Sequence, residues 1–192
     1  MTIVLVRHGE TEWSRTGRHT GRTDVDLTET GRRQAEATGR RLAGRPWSVV
    51  LSSPLRRALD TCRLAGLADR VVVDDDLCEW DYGEYEGLTT PAIRARDPSW
   101  SLWRDGCPGG ETAGDVGRRA DRVVARLRAA GGDAVVFSHG HLLRVVGARW
   151  VGEAPAFGAH LVLSTASVSS LGPEHGVDAL VEWNDTSHCR DA

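Results

Sequence analysis

Two arginines and two histidines of this chain come where largely apolar runs end. Arg7 and His8 directly follow the first run, Arg57 lies shortly after the second, and His139 lies just beyond the third. Runs of this kind predict strands buried on both faces, as in a parallel sheet. The carboxyl ends of parallel strands share one edge, where ligands of α/β proteins collect. We therefore expect the four side chains to converge there, although solvated strand ends would give the same residues. The runs are residues 3–6, 48–52 and 134–137.

Such a convergence predicts chemistry on a phosphoryl group. The guanidinium fork pairs with two phosphate oxygens at once. A neutral histidine can act as a nucleophile, and neighbouring cations lower its pKa in that direction. A second histidine that carries positive charge would stabilise the phosphoryl oxygens during transfer. Helix N-termini after Ser53 and near Gly140 would add backbone N–H donors.

The segment from Asp74 to Leu88 offers a proton donor. It mixes acidic and aromatic residues without a clean period, which predicts a loop that lines something. Transfer from an ester needs an acid that protonates the leaving oxygen. Glu79 is the first candidate and Glu84 the second. Because the donor must be protonated to act, we expect activity to fall as the pH rises towards neutrality.

The elements that position these residues indicate an α/β fold. We predict a three-layer α/β/α sandwich, with helices on both faces of a mostly parallel central sheet. The chain of 192 residues is expected to form one domain, residues 1–192. Further strands are predicted at residues 71–73, 160–164, 168–171 and 177–183, a long loop at 9–26 and a frayed tail from 184.

Three helices have start signals in the sequence. Thr28 is predicted to cap a helix that ends near Leu42. Ser53 followed by Pro54 is typical of a helix N-terminus. Thr112 precedes the longest predicted helix, and Asp115 three residues later approximates a capping box.

Composition narrows the class of protein. The net charge of -3 gives no electrostatic case for nucleic acid or an anionic membrane, and all 24 basic residues are arginine. No apolar run approaches the length of a membrane span, and no signal peptide is evident. The four cysteines match no metal or disulfide pattern, with Cys62 expected as a buried free thiol. Reduced cytoplasm is the expected location.

Two sets of residues leave alternatives open. Trp80, Trp100 and Trp103 lie in predicted loops, where they would line a substrate pocket or fill a small separate core. His139 and His141 form an H-x-H pair, but no third metal ligand follows at a recognised spacing and nearby arginines would repel a cation. We therefore expect no metal, and His141 is expected to support the site or its helix. His19, His175 and His188 are expected at the surface.

The motifs together resemble those of the histidine phosphatase superfamily, which includes cofactor-dependent phosphoglycerate mutases and many small phosphatases. The resemblance runs nearly end to end. It rests on the motifs at residues 5–11, 20–21 with 26–28, 52–58, 77–79 with 82–83 and 86–87, and 138–141.

The resemblance implies roles for individual residues. It implies that His8 becomes phosphorylated, that Arg7, Arg57 and His139 hold the phosphoryl group, and that Glu79 is the proton donor and later the base. Ser14 stands where the family has a phosphate-contacting asparagine. The residues that fall where family members line the phosphate and substrate site are Arg18, Thr20 and Gly21.

Within the family, the chain is similar to small actinobacterial-type acid phosphatases. Family mutases carry a longer basic insertion, whereas residues 89–110 are short here. We therefore predict a phosphomonoesterase without a cofactor, acting on a small-molecule ester; Trp80, Tyr82, Trp100 and Trp103 would favour a substrate with an apolar or ring-bearing part. A phosphoglycerate mutase and a non-catalytic phospholigand-binding domain are the alternatives. Family habit also suggests a homodimer.

Overall fold

The three apolar runs form neighbouring parallel strands. A computed structural model describes residues 1–190. Its six-stranded sheet has the order β3 (Val71–Val73), β2 (Val49–Ser52), β4 (Ala134–Ser138), β1 (Ile3–Arg7), β5 (Val168–Glu174) and β6 (Val177–Asp185). The first four are parallel, and β5 and β6 are antiparallel. Arg7 pairs with Ser138 in the β1–β4 register, so His8 and His139 leave the sheet at the same level.

Helices cover both faces of the sheet. The long helices are α2 (Glu29–Leu42), α3 (Arg56–Leu64), α6 (Ala113–Ala129) and α7 (Gly140–Trp150). Ile3 and Leu5 of β1 point into a core shared with α6 and α7, whereas Val4 and Val6 point into one shared with α2 and α3. The predicted α/β/α sandwich with a mostly parallel sheet is thus confirmed.

Short helical segments occupy the connections. They are α1 (Glu12–Arg15), α4 (Thr90–Arg94), α5 (Leu102–Asp105) and 3₁₀ turns at residues 68–70, 75–77, 83–85, 155–160 and 187–189. The predicted loop at residues 9–26 thus contains a helical turn, α1, which Thr11 and Ser14 close in a reciprocal capping box. The chain stays in β6 through Asp185, so the prediction of a frayed tail from residue 184 was wrong.

Two of the three predicted helix starts are confirmed. The Thr28 side chain accepts a hydrogen bond from Gly31 N–H, and Thr112 and Asp115 form a capping box. The third was wrong, because α3 begins at Arg56, three residues after Ser53. The Ser53 hydroxyl instead lies 2.8 Å from Nε2 of His139. The same hydroxyl accepts from Leu55 N–H at 3.3 Å, so Ser53 serves a tertiary contact and the turn before the helix rather than its first helical turn.

Residues 160–164 do not form the predicted strand. The Leu163 carbonyl accepts a hydrogen bond from the Arg7 side chain, and the Ser164 N–H donates to the Asn184 side chain. Backbone groups that bind side chains in this way are not available to a strand ladder.

Cys62, Cys78 and Cys107 are buried free thiols, as expected for Cys62. Within residues 1–190, none of the helices combines the length and the apolar character that crossing a bilayer would require.

Candidate active site

A cavity of about 180 Å³ opens at the carboxyl edge of β1 and β4. Eight of the residues predicted for the site line it, namely Arg7, His8, Ser14, Arg18, Thr20, Glu79, Tyr82 and Gly140. Its other lining residues are Gly17, His19, His141, Arg144 and Leu163.

His8 is held in one tautomer. Its Nδ1 atom lies 2.7 Å from the carbonyl oxygen of Gly9, and a carbonyl can only accept, so Nδ1 carries the proton. The lone pair is therefore on Nε2. Burial, followed by the charges of Arg57 and Arg7, holds the pKa of His8 well below its usual value. The ring is neutral and has a nucleophilic nitrogen.

The backbone behind His8 is fixed from α2 and α3. The Gly9 N–H donates to the Thr61 hydroxyl at 3.0 Å, and that hydroxyl donates to the Arg57 carbonyl at 2.6 Å. Gly9 also lies against Gly31 of α2, where a Cβ atom on Gly9 would come within 2.4 Å of the Gly31 carbonyl oxygen. Only glycine allows this approach, which sets the position of the carbonyl that orients His8.

Arg7 lies between the sheet and α7. Its Nη1 donates to the Leu163 carbonyl at 2.5 Å, whereas its Nε is buried without a hydrogen-bond partner among residues 1–190. A Cβ atom on Gly140 would lie 3.3 Å from that Nε. A buried N–H without an acceptor is costly, so Arg7 presents a donor that a ligand oxygen would satisfy.

Arg57 is fully buried, and most of its N–H groups donate hydrogen bonds to other residues of the protein. Nε donates to His139 Nδ1 at 3.1 Å, and Nη1 donates to the Thr23 carbonyl at 3.0 Å. Nη2 donates to the carbonyls of Thr20 and Gly21 at 3.0 and 2.9 Å. Of the five guanidinium N–H groups, one on Nη1 remains.

His139 is neutral in this arrangement, which differs from the positive charge expected for it. Its Nδ1 accepts from Arg57, so Nε2 carries the proton and donates to the Ser53 hydroxyl at 2.8 Å. Burial and the Arg57 charge keep its pKa well below the usual value. The ring centroids of His8 and His139 are 5.3 Å apart. Arg57 and His139 therefore adjoin His8, although neither lines the cavity.

Glu79 is buried and faces the cavity. Its Oε1 accepts from the N–H groups of Trp80 and Leu142 at 2.9 Å, and its Oε2 accepts from the N–H of His141 at 3.0 Å. Two of these donors belong to the first turn of α7, where the helix dipole favours a carboxylate. These three backbone donors fix the carboxyl group in the wall of the cavity.

An ion pair that the sequence reading missed supports the Glu79 segment. Arg119 of α6 pairs with Glu111 at 2.8 Å, and both side chains are largely buried. Arg119 also donates to the carbonyls of Asp76, Cys78 and Glu79 at 2.8, 2.9 and 3.3 Å. One guanidinium thus fixes the backbone that carries the carboxyl group.

Glu86 gives similar support to the loop that holds Arg57. Its carboxylate accepts from Gly21 N–H at 2.9 Å and from Thr23 N–H at 3.1 Å. The Gly21 N–H binds Glu86 and its carbonyl binds Arg57, so both backbone groups have protein partners, and the expected phosphate role of Gly21 stays a prediction. The motif at residues 86–87 was the one signal in the sequence that pointed to Glu86.

Other residues that the sequence predicted for the site lie outside the cavity or are already hydrogen-bonded. Trp80 and Trp100 are buried in the core, where their indole N–H groups donate to the carbonyls of Glu111 and Gly106. Of the two alternatives that the sequence left open, the pocket lining is therefore wrong for both, and they pack into the large core shared with α6 and α7. Trp103 is half-buried and packs against Trp80 rather than lining the cavity. The Ser14 hydroxyl lines the cavity but is engaged in the Thr11 capping box.

Two histidines expected elsewhere lie on the cavity wall. His19, predicted at the surface, stacks on Tyr82 with ring centroids 4.7 Å apart, and burial lowers its pKa to about 4. His141 lines the cavity beside it, and its Nδ1 is 2.6 Å from the Tyr82 hydroxyl.

His188 is also not a free surface residue, because its Nε2 contacts the Ala166 carbonyl at 3.0 Å. Residues 1–190 contain no cluster of three or more His, Cys, Asp or Glu side chains arranged to hold a metal ion.

Comparison with known proteins agrees with this geometry. Residues 3–186 match the sequence profile of the histidine phosphatase superfamily, branch 1. An acid phosphatase of Mycobacterium tuberculosis is 47% identical over 190 residues, which cover 97% of this chain and 93% of that protein. A solved structure of an open reading frame from Mycobacterium tuberculosis superimposes with a TM-score of 0.91 at 47% identity, covering 95% and 96% of the two chains. The α-ribazole phosphatase of Shigella flexneri gives a TM-score of 0.85 at 27% identity, covering 97% of each chain.

Proposed function

The chain belongs to the histidine phosphatase superfamily and is a phosphatase of phosphate monoesters, and we propose that His8 takes up the phosphoryl group on Nε2. The observation that carries this proposal is the 2.7 Å hydrogen bond from Nδ1 to the Gly9 carbonyl. That bond leaves the lone pair on Nε2, and the lowered pKa keeps it free of a proton. A neutral, oriented imidazole is what nucleophilic attack on phosphorus requires.

Arg7 is proposed to bind the non-bridging oxygens of the phosphoryl group. Its buried Nε has no acceptor among residues 1–190, and a phosphate oxygen would supply one. Arg57 adds positive charge beside His8 and retains one N–H on Nη1. Through its bond to His139, Arg57 also fixes the neighbouring ring. Burial, followed by the charges of Arg57 and Arg7, lowers the pKa of His8 and keeps its ring neutral.

Glu79 is proposed to act as the acid and then as the base. In the first step, a bond forms between His8 Nε2 and phosphorus, the ester P–O bond breaks, and the Glu79 proton moves to the leaving oxygen. In the second step, water attacks phosphorus, its proton moves to the Glu79 carboxylate, and the Nε2–P bond breaks. Inorganic phosphate leaves, and both side chains return to their initial states.

Hydrolysis is favoured over mutase turnover. The similar acid phosphatase and α-ribazole phosphatase both carry the name of a hydrolase. Residues 89–110 hold only the short helices α4 and α5, and Trp100 packs into the core instead of closing over the cavity. Water therefore reaches a phosphorylated His8. The substrate is proposed to be a small-molecule phosphate monoester.

The test is a trapping experiment with a ³²P-labelled monoester. Wild-type protein quenched in alkali is expected to carry acid-labile label on His8 and to release inorganic phosphate in the steady state, whereas His8→Ala shows neither. His160→Ala, at an exposed histidine, is the matched control and should behave as wild type. Release of phosphate by wild type without label on His8 would contradict the nucleophile assignment. If phosphoglycerates interconverted faster than phosphate was released when the bisphosphate was added, the protein would be a mutase rather than a phosphatase.

Three further expectations from the sequence stay predictions. We expect activity to withstand a chelator, because we propose no cofactor. We expect a homodimer, which analytical ultracentrifugation would detect. We expect a cytoplasmic location, which fractionation of the source cells would test.

A further inference from the structure

His141 and Tyr82 form a pair on the cavity wall that the proposed reaction does not use. The Tyr82 hydroxyl is 2.6 Å from Nδ1 of His141, and Tyr82 is only 1% exposed. Among residues 1–190, the hydroxyl has no other hydrogen-bond partner. Burial, followed by the charge of Glu79, raises the pKa of Tyr82 well above its usual value, so the phenol keeps its proton.

These contacts determine which nitrogen of His141 carries the proton. The phenol O–H donates a hydrogen bond to Nδ1 of His141. Nδ1 is therefore the acceptor, and the ring hydrogen is on Nε2. Burial, followed by the charges of Arg144 and His19, lowers the pKa of His141, so the ring is neutral. The only side-chain hydrogen bond of His141 within residues 1–190 is the one through Nδ1, the side chain is 23% exposed, and the residue lines the cavity. It is therefore a fixed donor aimed at whatever fills the cavity.

The donor lies next to the proposed proton donor. Oε2 of Glu79 is 3.9 Å from Nδ1 of His141 and 3.0 Å from the His141 backbone nitrogen. A leaving oxygen that receives the Glu79 proton would therefore lie beside the His141 ring. The substrate groups that could reach this ring would be those close to the ester oxygen.

Arg144 extends the same donor surface. It follows His141 by three residues on α7, so both side chains lie on one face of the helix. Its Nε and Nη2 donate to the carbonyls of Gly158 and Ala159 at 2.8 and 3.1 Å, and its guanidinium stacks 4.6 Å above the Trp103 ring. Nη1 has no protein acceptor among residues 1–190, and Arg144 lines the cavity. This wall offers donors and no carboxylate other than Glu79.

Building on the proposed function, we propose that His141, oriented by Tyr82, selects phosphate monoesters that carry an acceptor oxygen on the second carbon from the ester oxygen. A hydroxyl or a carboxylate would satisfy Nε2–H equally. A bound alkyl ester would cover Nε2–H without supplying an acceptor, and such a mismatch is what makes polar sites discriminate strongly. His141 is on this account a specificity residue and Tyr82 a positioning residue.

The experiment compares kcat/KM for three esters: n-propyl phosphate, glycerol 3-phosphate and phosphoglycolate, of which the last two carry an acceptor oxygen on the second carbon from the ester oxygen. Wild type is expected to prefer the two oxygenated esters, and His141→Phe to reduce that preference about tenfold, the value of one hydrogen bond. His141→Gln, which restores an N–H donor, should recover part of it. Tyr82→Phe should reduce it by a smaller factor. A preference for only one oxygenated ester identifies the hydroxyl or the carboxylate as the acceptor.

Two controls match these variants. His160→Phe makes the same change at an exposed histidine, and Tyr85→Phe removes a phenol hydroxyl from a residue that does not line the cavity. Neither should alter the preference. In addition, ¹⁵N NMR of the wild-type protein should place the His141 proton on Nε2, a readout independent of folding in the variants.

The results that would overturn the selectivity are distinct from those against the reaction. An unchanged preference in His141→Phe, an equal loss in the controls, or a proton on Nδ1 would refute the role of His141 while leaving His8 chemistry in place. Failure of wild type to hydrolyse any of the three esters would refute the proposed function, and this inference with it.

Discussion

The Nε–H of Arg57 donates a 3.1 Å hydrogen bond to Nδ1 of His139, and the other bonds of the same guanidinium run to the carbonyls of residues 20, 21 and 23. One side chain from α3 therefore joins the end of β4 to the loop after β1. The arrangement needs a planar group with donors in several directions, which an ammonium cannot replace.

Arg57→Lys is accordingly expected to damage both stability and activity. A lysine leaves buried acceptors without donors, so the free energy of unfolding should fall by about 3 kcal/mol, and kcat/KM by about a hundredfold or more. Urea denaturation and steady-state kinetics measure the two effects. Arg56→Lys is the matched control, because Arg56 is exposed and ion-paired to Asp26. It should change stability by less than about 0.5 kcal/mol, and an equal loss in both variants would contradict this account.

The acid limb of the pH profile reports on His8. Because burial and two arginines lower its pKa well below 6.5, the ring stays neutral as the pH falls through 6.5, and nucleophilic attack continues. We therefore expect kcat/KM to hold or rise between pH 7 and pH 5 and to fall only at lower pH, where His8 gains a proton. A loss of activity centred on pH 6.5 would mean that His8 titrates as an ordinary histidine.

Substitution of Arg119 should show that this residue positions Glu79, the proposed proton donor. Arg119→Lys breaks the bidentate pair with Glu111 and loosens the backbone that bears Glu79. We expect a loss of about tenfold or more in kcat for an alkyl phosphate, and a much smaller loss for p-nitrophenyl phosphate, whose leaving oxygen needs little protonation. Glu79→Gln should show the same dependence on the leaving group, more strongly.

The control for that variant is Arg118→Lys, since Arg118 is the neighbouring exposed residue on α6. It should leave both substrates within about twofold of wild type. If Arg119→Lys slowed both esters by one common factor, Arg119 would stabilise the fold without positioning the acid.

Gly140→Ala separates stability from activity. Alanine favours the helix by about 1 kcal/mol, but its Cβ would come within 3.3 Å of Arg7 Nε and push the guanidinium from its place. We expect KM to rise about tenfold while thermal stability stays near that of wild type. Gly114→Ala, in the first turn of α6, has no neighbour closer than 3.7 Å to its Cβ and should raise stability without changing KM.

The sequence predicts those parts of the site that depend on local pattern. Arg7, His8 and His139 follow strands whose apolar character is continuous, and a parallel sheet brings such strand ends together. Thr28 and Thr112 cap helices because each cap depends on residues within one turn. The α/β/α architecture could be predicted for the same reason.

The remaining parts depend on partners far along the chain. Ser53 binds His139, Glu86 binds the loop near residue 21, and Arg119 binds carbonyls 40 or more residues away. No periodicity encodes such pairs. The sequence left Trp80 and Trp100 undecided between a pocket and a core, because an aromatic residue in a loop has the same local pattern whether its ring faces a cavity or the core.

The pairing of β1 with β4 has a consequence during synthesis. His8 and His139 are separated by 131 residues of chain, from their positions 8 and 139, so at ribosomal rates roughly 7 to 26 seconds pass between the appearance of the two. Throughout that interval the apolar β1 has neither of its sheet neighbours, β4 and β5. A nascent chain of this design therefore exposes an apolar first strand for most of its synthesis, and it becomes catalytically competent only after its last third has been translated.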